Sequence, residues 1–279
     1  MPIRTSLRTL ALLLRILIAL FFLSTFVALW VWSLFPSDKE IRGCLTTKMY
    51  HVHLCPGSDQ YVRLNQISPY LEKAVVLTED ASFWNHNGFD IEELEKSLKK
   101  NIQEKRFARG GSTITQQLAK NMFLTKEKTL SRKLMEALIT IRIEKTLKKS
   151  EILERYLNVV QFGKDLFGIQ KASQYYFSKR PKDLTLVESA FLTFLLPSPE
   201  KYSVSFQKKQ LTPFARQRLN QIIDNLFQYH RISEDEYTLA KDELSRFLNP
   251  AGEVQESKSP SESELDPEAE SEAAPEHVN

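Results

Sequence analysis

The stretch SRKLMEALITIRIEKTL, from Ser131 to Leu147, decides the fold class of the chain. Apolar residues recur in it at positions 134, 138 and 141, and again at positions 135, 139 and 143. A spacing of three or four residues is typical of an α-helix, and two apolar stripes would cover most of its circumference. We therefore predict a helix here that is largely buried in a mainly α domain.

Helical patterning continues along the rest of the chain. Four further helices are predicted at 150–158, 184–196, 215–229 and 234–247. Ser150 is placed to cap the first of these helices, and Pro197 would end the second. Alternation of apolar and polar residues is scarce, and only 59–65 suggests a short strand. The pattern predicts one mainly α domain between Ser37 and Pro250.

An uncharged run of twenty residues, Ile16 to Phe35, precedes this domain. A helix of that length matches a hydrocarbon core of roughly 30 Å. Arg4, Arg8 and Arg15 precede the run without an acidic residue, so the positive-inside rule keeps that end cytoplasmic and exports the remainder. We predict a retained anchor, since a cleaved signal peptide would have a shorter apolar stretch and a small-residue cleavage site.

The C-terminal residues 251–279 have a composition that opposes folding. They hold nine acidic residues, one lysine and three prolines, so we expect them to be disordered. The whole chain has 38 basic and 35 acidic residues, but without this tail it has 37 and 26. A basic exported domain suits an anionic membrane or a phosphate-bearing substrate, and it would rarely meet nucleic acid. The predicted organisation is a cytoplasmic segment 1–15, an anchor 16–35, a folded domain 37–250 and an acidic tail 251–279.

Cys44 and Cys55 are the only cysteines of the chain. In an exported domain they can form a disulfide that closes a short loop. His51 and His53 lie between them, so a metal site is a second option, although the spacing fits no strong zinc pattern. Two free thiols are the other alternative, and a disulfide or free thiols are both favoured over a metal site.

Acidic and aromatic residues follow directly on an apolar run at 75–90, VVLTEDASFWNHNGFD. A carboxylate beside apolar groups tends to have a raised pKa, because burial disfavours its charged form, and this suits general acid or base catalysis. Glu79 and Asp80 are the candidates. The alternative is that both lie in a solvated turn at a helix end.

A glycine pair and a polar helix follow at 109–121, RGGSTITQQLAKN. Thr113 with Gln116 three residues later fits a capping box, and the free N–H groups of such a helix start favour an anion. On such a helix Gln116 and Lys120 are four positions apart, and so are Gln117 and Asn121. Their amides and the ammonium group would lie on adjacent stripes, which suits the binding of sugar or phosphate oxygens. A capped helix with a solvated polar face is the alternative.

A line of polar residues crosses the helix predicted at 131–147. It consists of Arg132, Glu136, Thr140 and Glu144, with Lys133 beside it. A buried helix must satisfy such groups internally or turn them toward a cleft. The alternative is a surface ion pair between Arg132 and Glu136, worth about a few tenths of a kcal/mol.

Taken in order, these motifs resemble glycosyltransferase family 51, the transglycosylase domain of bifunctional penicillin-binding proteins and of monofunctional peptidoglycan glycosyltransferases. The likeness runs from about Tyr61 to about Leu226. The first three motifs correspond to Glu79, Asp80, Phe83, His86 and Gly88, to Gly110 through Asn121, and to Arg132, Lys133 and Glu136. The fourth and fifth include Lys149, Glu151, Glu154, Tyr156 and Asn158, then Phe162, Gly163, Gly168, Ala172, Tyr176 and Pro197. Five ordered motifs outweigh the alternatives that each one leaves open.

The resemblance implies a mainly α, lysozyme-like fold of two lobes, with one N-terminal transmembrane helix. It implies a peptidoglycan glycosyltransferase that polymerises lipid II into β-1,4-linked strands and releases undecaprenyl pyrophosphate. Glu79 would be the general base toward the acceptor 4-hydroxyl, with inversion at the donor anomeric carbon. Glu136 would be the second important carboxylate.

Further site residues follow from the same resemblance. Cations that would stabilise the leaving pyrophosphate are Lys120, Lys128, Arg132 and Lys133. Polar residues that would line the cleft are Ser112, Thr113, Gln116 and Gln117. Residues that would support the motifs structurally are Asp80, Phe83, His86, Gly88, Asn121, Glu154, Tyr156 and Asn158. No cofactor is required, and holding Mg²⁺ or Mn²⁺ at the pyrophosphate is one role open to Glu136.

The implied partners are lipid II, the growing lipid-linked strand and the bacterial inner membrane, with transpeptidases or divisome and elongasome proteins as further candidates and no nucleic acid. Lys128 departs from the arginine of many members, which would forfeit a bidentate phosphate contact. Two rival functions are a catalytically silent membrane scaffold and a lytic, glycan-cleaving enzyme. Intact Glu79 and Glu136 speak against the scaffold, and the cations speak against a glycan cleaver, which needs no phosphate site.

Overall fold

The structure, a computed structural model, describes residues 2–33, 35–48, 50, 52–104, 111–125, 127 and 129–248, without the side chains of 2–9, 11, 28, 30–32, 98 and 100–104. The helices among them are α1 (Pro2–Ser33), α2 (Asp38–Arg42), α3 (Pro69–Glu79), α4 (Ile91–Glu104), α5 (Ile114–Phe123), α6 (Leu130–Thr146), α7 (Lys149–Val159), α8 (Ile169–Phe177), α9 (Leu186–Leu195), α10 (Pro199–Tyr202), α11 (Val204–Gln207), α12 (Pro213–Gln228) and α13 (Glu234–Arg246). Two short antiparallel pairs join β1 (Leu45–Thr46) to β2 (His53–Leu54), and β3 (Gln161–Gly163) to β4 (Leu166–Phe167). The prediction of a mainly α chain is confirmed.

The residues that the structure describes fall into two compact units, one up to Glu40 and one from Ile41 onward. The first unit contains α1, and its described apolar side chains, such as Phe21 and Leu29, are exposed. No helix among the residues that the structure describes is long and apolar enough to cross a membrane. The anchor at 16–35 therefore stays a prediction, and the predicted acidic tail lies outside the described residues.

Helix α9 forms the centre of the second unit. All ten of its residues are buried, and it packs against α3, α12 and α13. Thr185 and Glu188 form a capping box at its start, so the helix predicted at 184–196 is confirmed. The buried face of α3, with Leu71 and Val75, fixes that helix in place, and Glu79 is its last residue. Packing on α9 thus sets the position of Glu79.

A second group of helices packs α5 against α6 and α7. The apolar residues Ile114 and Leu118 on α5 are fully buried, as are Ile152 and Tyr156 on α7. The helix start predicted at Thr113 is confirmed by a capping box with Gln116. This packing holds the polar residues of α5 beside those of α6.

The prediction of a largely buried α6 is wrong for one of its two apolar stripes. Leu134 and Ile141 on that stripe are 61% and 40% exposed, whereas Glu136 on the polar line is only 3% exposed and Thr140 is fully buried. The cause is the neighbouring surface of α5, where the Thr115 hydroxyl donates to Glu144 Oε1 at 2.6 Å. Polar groups on α5 supply partners to the polar line, so that line faces inward.

Two local predictions are also wrong. Residues 59–65 form no strand, because the N–H groups of Val62 and Leu64 donate to the Asn158 and Glu154 side chains, and a 3₁₀ helix, Leu64–Gln66, follows. Ser150 does not cap α7. That helix begins at Lys149, and the Glu151 carboxylate accepts from the Lys148 N–H at 2.8 Å.

The disulfide option at Cys44 and Cys55 is confirmed. The bond closes the β1–β2 hairpin, and the Lys48 N–H donates to the Met122 carbonyl at the end of α5. From α7, the Arg155 guanidinium donates to the Gly43 carbonyl at 3.0 Å. The hairpin is therefore attached to the two helices that carry Gln117 and Tyr156.

Replacing both Cys44 and Cys55 by serine is expected to lower the free energy of unfolding by about 3 kcal/mol, because a short closed loop then opens in the unfolded chain. Urea denaturation of the oxidised protein and of the double variant measures the difference. Reduction should bring the wild type to the variant's midpoint and leave the variant unchanged. Equal midpoints in oxidised wild type and variant would contradict the expectation.

Candidate active site

Glu79 stands at the centre of a short chain of hydrogen bonds across three helices. The Gln117 side-chain amide donates to Glu79 Oε2 at 2.8 Å. Gln117 Oε1 in turn accepts from the fully buried Tyr156 hydroxyl at 3.0 Å. Because an ionised carboxylate can only accept, the NH₂ group of Gln117 faces Glu79 and its carbonyl oxygen faces the tyrosine hydroxyl.

The pKa of Glu79 is raised above its ordinary value. Burial is the largest cause, and the adjacent Asp80 charge adds to it. The Gln117 hydrogen bond opposes the shift, as do the positive charges of Lys120 and Arg218. A carboxylate with a raised pKa is a stronger base once it has lost its proton, which suits general base catalysis.

Both carboxylate oxygens of Asp80 make contacts within the protein. Asp80 is 6% exposed, and its Oδ1 lies 2.8 Å from His86 Nε2 while its Oδ2 accepts from the Ile114 N–H at 3.0 Å. The Gly88 N–H donates to His86 Nδ1 at 3.0 Å, so the ring proton belongs on Nε2 and is donated to Asp80. Asp80 therefore ties the loop after α3 to the start of α5.

Gly88 brings this loop onto α6. Its φ of +92° favours glycine, and a Cβ there would lie 2.7 Å from Thr140 Cγ2. The Gly88 carbonyl accepts from the Thr113 hydroxyl at 2.7 Å. Phe83, fully buried, anchors the same loop, and the Lys149 ammonium lies 4.6 Å from its ring centroid. The first motif is thus fixed to α5, α6 and α7.

The polar residues at the start of α5 are engaged with one another. Thr113 Oγ1 accepts from the Gln116 N–H at 3.2 Å, and Gln116 Oε1 accepts from the Thr113 N–H at 3.0 Å. Ser112 is more accessible, and its hydroxyl accepts from the Lys133 ammonium at 3.3 Å. Gly110 lies outside the described residues. The side chains of Ser112 and Gln117 thus reach groups of α6 and α3, Lys133 and Glu79.

Cations from α5 and α6 gather around Glu136. Lys133 Nζ lies 2.5 Å from Glu136 Oε1, and Arg132 Nη1 lies 3.9 Å from Oε2. Burial lowers the pKa of Lys120, and the negative charges of Glu136 and Glu79 oppose that shift. The buried Arg132 Nε has no hydrogen-bond partner among the described residues. Lys128 lies outside the described residues, so three of the four predicted cations are seen together.

Glu154 and Asn158, two of the residues predicted to support the motifs, join α7 to the segment before α3. Asn158 bonds both the N–H and the carbonyl of Val62, at 2.9 and 2.8 Å. Glu154 accepts from the Tyr61 hydroxyl at 2.7 Å. Asn121 is buried on α5. These contacts hold the scaffold around the carboxylates.

Two contributors were missed by sequence reasoning. Arg218, on α12, acts electrostatically on Glu79 although it is 139 positions away. No local pattern singles it out, because a lone arginine on an amphipathic helix is ordinary. Glu144 was seen only as part of the polar line, but its Oε1 accepts from both Thr115 and Lys149, at 2.6 and 2.7 Å. The available signal in the sequence was an acidic residue on a helix that was predicted to be largely buried.

A carboxylate with a raised pKa, set near a cluster of cations on a helical scaffold, is an arrangement that suits acid–base chemistry on an anionic substrate. The family model described as Transglycosylase matches residues 48–227, and the chain belongs to this family.

Three relatives illustrate the similarity. A biosynthetic peptidoglycan transglycosylase of Nitrosomonas eutropha is 45% identical over 157 residues, which cover 56% of this chain and 64% of that protein. One of Aromatoleum aromaticum is 40% identical over 212 residues, covering 73% and 90%. Penicillin-binding protein 1A of Aquifex aeolicus is 40% identical over 177 residues, covering 63% of this chain and 24% of that protein. The chain thus spans slightly less than two thirds of the first relative and about a quarter of the third.

Proposed function

We propose that this chain is a peptidoglycan glycosyltransferase that polymerises lipid II into β-1,4-linked glycan strands and releases undecaprenyl pyrophosphate. One observation carries the proposal. Glu79 is a buried carboxylate that accepts a hydrogen bond from Gln117, its pKa is raised, and the positive charge of Lys120 in the cation cluster acts on it. The names of the relatives and the family membership support it.

In the proposed reaction, Glu79 takes the proton of the acceptor 4-hydroxyl as that oxygen attacks the donor anomeric carbon. The configuration at this carbon inverts, and the lipid pyrophosphate leaves with its bonding electron pair. A positioned base contributes about 10²–10⁴-fold to such a step. Negative charge grows on the leaving group, and Lys120, Arg132 and Lys133 would stabilise it.

Glu136 is proposed to hold these cations in place. It is buried and paired with Lys133, with Arg132 nearby, so it keeps two positive groups together without substrate. Glu136 is the carboxylate that the resemblance offers to a divalent ion, and its charge is already paired with Lys133. We therefore assign no step to Mg²⁺ or Mn²⁺.

The proposed location is the bacterial inner membrane, with residues 1–15 cytoplasmic, a single span at 16–35 and a periplasmic two-lobed catalytic domain. The uncharged run supports this, as do exposed apolar residues on α6, Leu130, Leu134 and Ile141. The full-length chain should sediment with inner membranes and be extracted by detergent but not by high salt. Release by salt alone would contradict a spanning anchor.

The function is tested by incubating the purified full-length protein with labelled lipid II in detergent. Ladders of undegraded glycan are expected. Soluble muropeptide fragments from preformed glycan would indicate the lytic enzyme instead. A folded protein that yields neither product would favour the scaffold, as would recruitment of wall-building partners without polymerisation.

The rate of polymerisation should fall at low pH as Glu79 becomes protonated, and this acid limb should lie above the pH typical of a free glutamate, because the pKa of Glu79 is raised. Replacing Gln117 by leucine removes a hydrogen bond that favours the charged form, so the limb should move to higher pH. Rate–pH profiles measure the shift.

Gln228→Leu, at an exposed site on α12, is the control. An unmoved limb in Gln117→Leu would contradict the assignment.

A further inference from the structure

A surface depression of about 260 Å³ lies beside helix α8, and none of the residues that line it is assigned to catalysis. Its lining consists of Gln60, Gln170, Lys171, Gln174 and Tyr175. The last four belong to α8, where positions 170 and 174 are four apart, as are 171 and 175. Residues at this spacing form two adjacent stripes of one helix face. Three carboxamides, an ammonium group and a phenol therefore border the same space.

Tyr175 gives this depression a fixed aromatic surface. The residue is 56% exposed, yet its ring centroid lies 4.9 Å from that of buried Tyr176, edge to face, and 6.2 Å from that of Phe206. Ile169 and Ala172 on the inner face of α8 are fully buried, which fixes the rotation of the helix. Because the ring is already held by its neighbours, a ligand that packs on it costs little ordering of the side chain.

Helix α7 separates the depression from the proposed catalytic base. Gln60 directly precedes Tyr61, whose hydroxyl donates to Glu154 on α7 at 2.7 Å. Two positions further along α7, the Tyr156 hydroxyl joins the hydrogen-bond chain that ends at Glu79. Residues two positions apart point about 200° apart around a helix of 3.6 residues per turn. The depression is therefore a different site from the one around Glu79.

The chemistry of the lining suits a sugar. Among the residues that the structure describes, the side-chain amides of Gln60, Gln170 and Gln174 have no hydrogen-bond partner. Each amide offers one acceptor oxygen and two N–H donors, which match hydroxyl and acetamido groups. The C–H face of a sugar ring packs on an aromatic face such as that of Tyr175. Lys171 is the lone cation of the lining, whereas pyrophosphate is expected to attract several cations.

We propose that this depression binds a β-1,4-linked glycan of N-acetylated sugars, with one ring packed on Tyr175. The choice of glycan rests on the proposed function, whose product contains such rings. Pockets for drug-sized ligands have volumes of about 300–1,000 Å³, so 260 Å³ suits one ring and predicts weak binding. The site would hold the strand at a second place, outside the groups that form the glycosidic bond.

The test is a calorimetric titration of the purified full-length protein in detergent, without lipid II. The probe is a tetramer of β-1,4-linked N-acetylglucosamine, and we expect saturable binding. Tyr175→Ala should weaken this binding about tenfold, because the packing surface for the ring is lost. Gln174→Leu should weaken it about 2–10-fold, because one hydrogen bond is lost. The tetramer of β-1,4-linked glucose, which lacks the acetamido groups, should bind more weakly than the N-acetylated tetramer.

Tyr229→Ala is the matched control, since Tyr229 is 57% exposed and does not line the depression. It should bind the N-acetylated tetramer as wild type does. The proposal is overturned if wild type binds neither tetramer or both equally, or if Tyr175→Ala binds as wild type does. Loss of binding in Gln117→Leu but not in Tyr175→Ala would place the glycan at the catalytic residues and overturn it also.

A protein partner that Tyr175→Ala loses, in the absence of glycan binding by wild type, would assign the surface to protein recognition and overturn the proposal. The polymerisation assay is separate from this titration. A protein that binds the tetramer through Tyr175 but forms no glycan from lipid II would contradict the proposed function and leave this binding site supported.

Discussion

Glu79→Gln is expected to lower the rate of lipid II polymerisation by about 10²–10⁴-fold, while the protein stays folded. Glutamine has nearly the same shape as glutamate, and its carbonyl oxygen can still accept from the Gln117 amide that now donates to Glu79 Oε2. It cannot take a proton from a sugar hydroxyl. Initial rates of glycan formation measure the loss, and the thermal midpoint verifies the fold.

Glu72→Gln is the matched control for this experiment. Glu72 lies on the same helix, α3, and burial raises its pKa also, but none of the site's cations acts on that pKa. Its substitution should leave the polymerisation rate close to that of wild type. Ladders formed by Glu79→Gln at the wild-type rate would keep the proposed function and overturn the assignment of the base.

Local rules were sufficient where a feature involves a few consecutive residues. The capping box of Thr113 and Gln116 is one example, since both hydrogen bonds run between residues three positions apart. The selection of Glu79 as a candidate general base is a second example, because an apolar run lies directly before it in the sequence. Its partner Gln117 was predicted as a cleft residue, but a contact across 38 positions depends on how α3 and α5 pack.

Features decided by a neighbouring surface could not be read from one segment. On α6 the apolar stripe with Ile139 and Ile143 is buried as predicted, but the stripe with Leu134 and Ile141 is exposed, and the polar line with Glu136 is buried in its place. A periodic pattern predicts that a helix is amphipathic, but it assumes that the buried side is the apolar one. That assumption fails for one of the two stripes, because α5 presents hydrogen-bonding partners such as Thr115 to the polar side.

In one segment, side chains take the place of the backbone hydrogen-bond acceptors that a strand would provide, and the sequence pattern does not reveal this. Residues 59–65 looked like a strand, yet Asn158 and Glu154 on α7 satisfy the N–H groups of Val62 and Leu64. These two acceptors lie about ninety positions further along the chain. The fourth motif was therefore recognisable by resemblance, while the contacts that explain its residue types required the structure.

Lys120→Met is expected to lower the turnover rate by about 10²–10³-fold, which corresponds to about 2.7–4 kcal/mol of transition-state stabilisation. The methionine fills a similar volume but removes a positive charge that would face the leaving pyrophosphate. Because that charge also lowers the pKa of Glu79, the acid limb should move to higher pH in the variant. Rates are therefore compared on the alkaline side of both limbs, so that the loss reflects the leaving group alone.

Lys145→Met, at an exposed position in the last turn of α6, is the control and should retain the wild-type rate. The thermal stability of Lys120→Met is a second, independent measurement. Burial lowers the pKa of Lys120, which means that the charged form of this side chain destabilises the folded protein. Lys120→Met should therefore leave the thermal midpoint unchanged or raise it, even as the rate falls. A fall in both would instead assign Lys120 to the scaffold, and an unchanged rate would remove it from the pyrophosphate site.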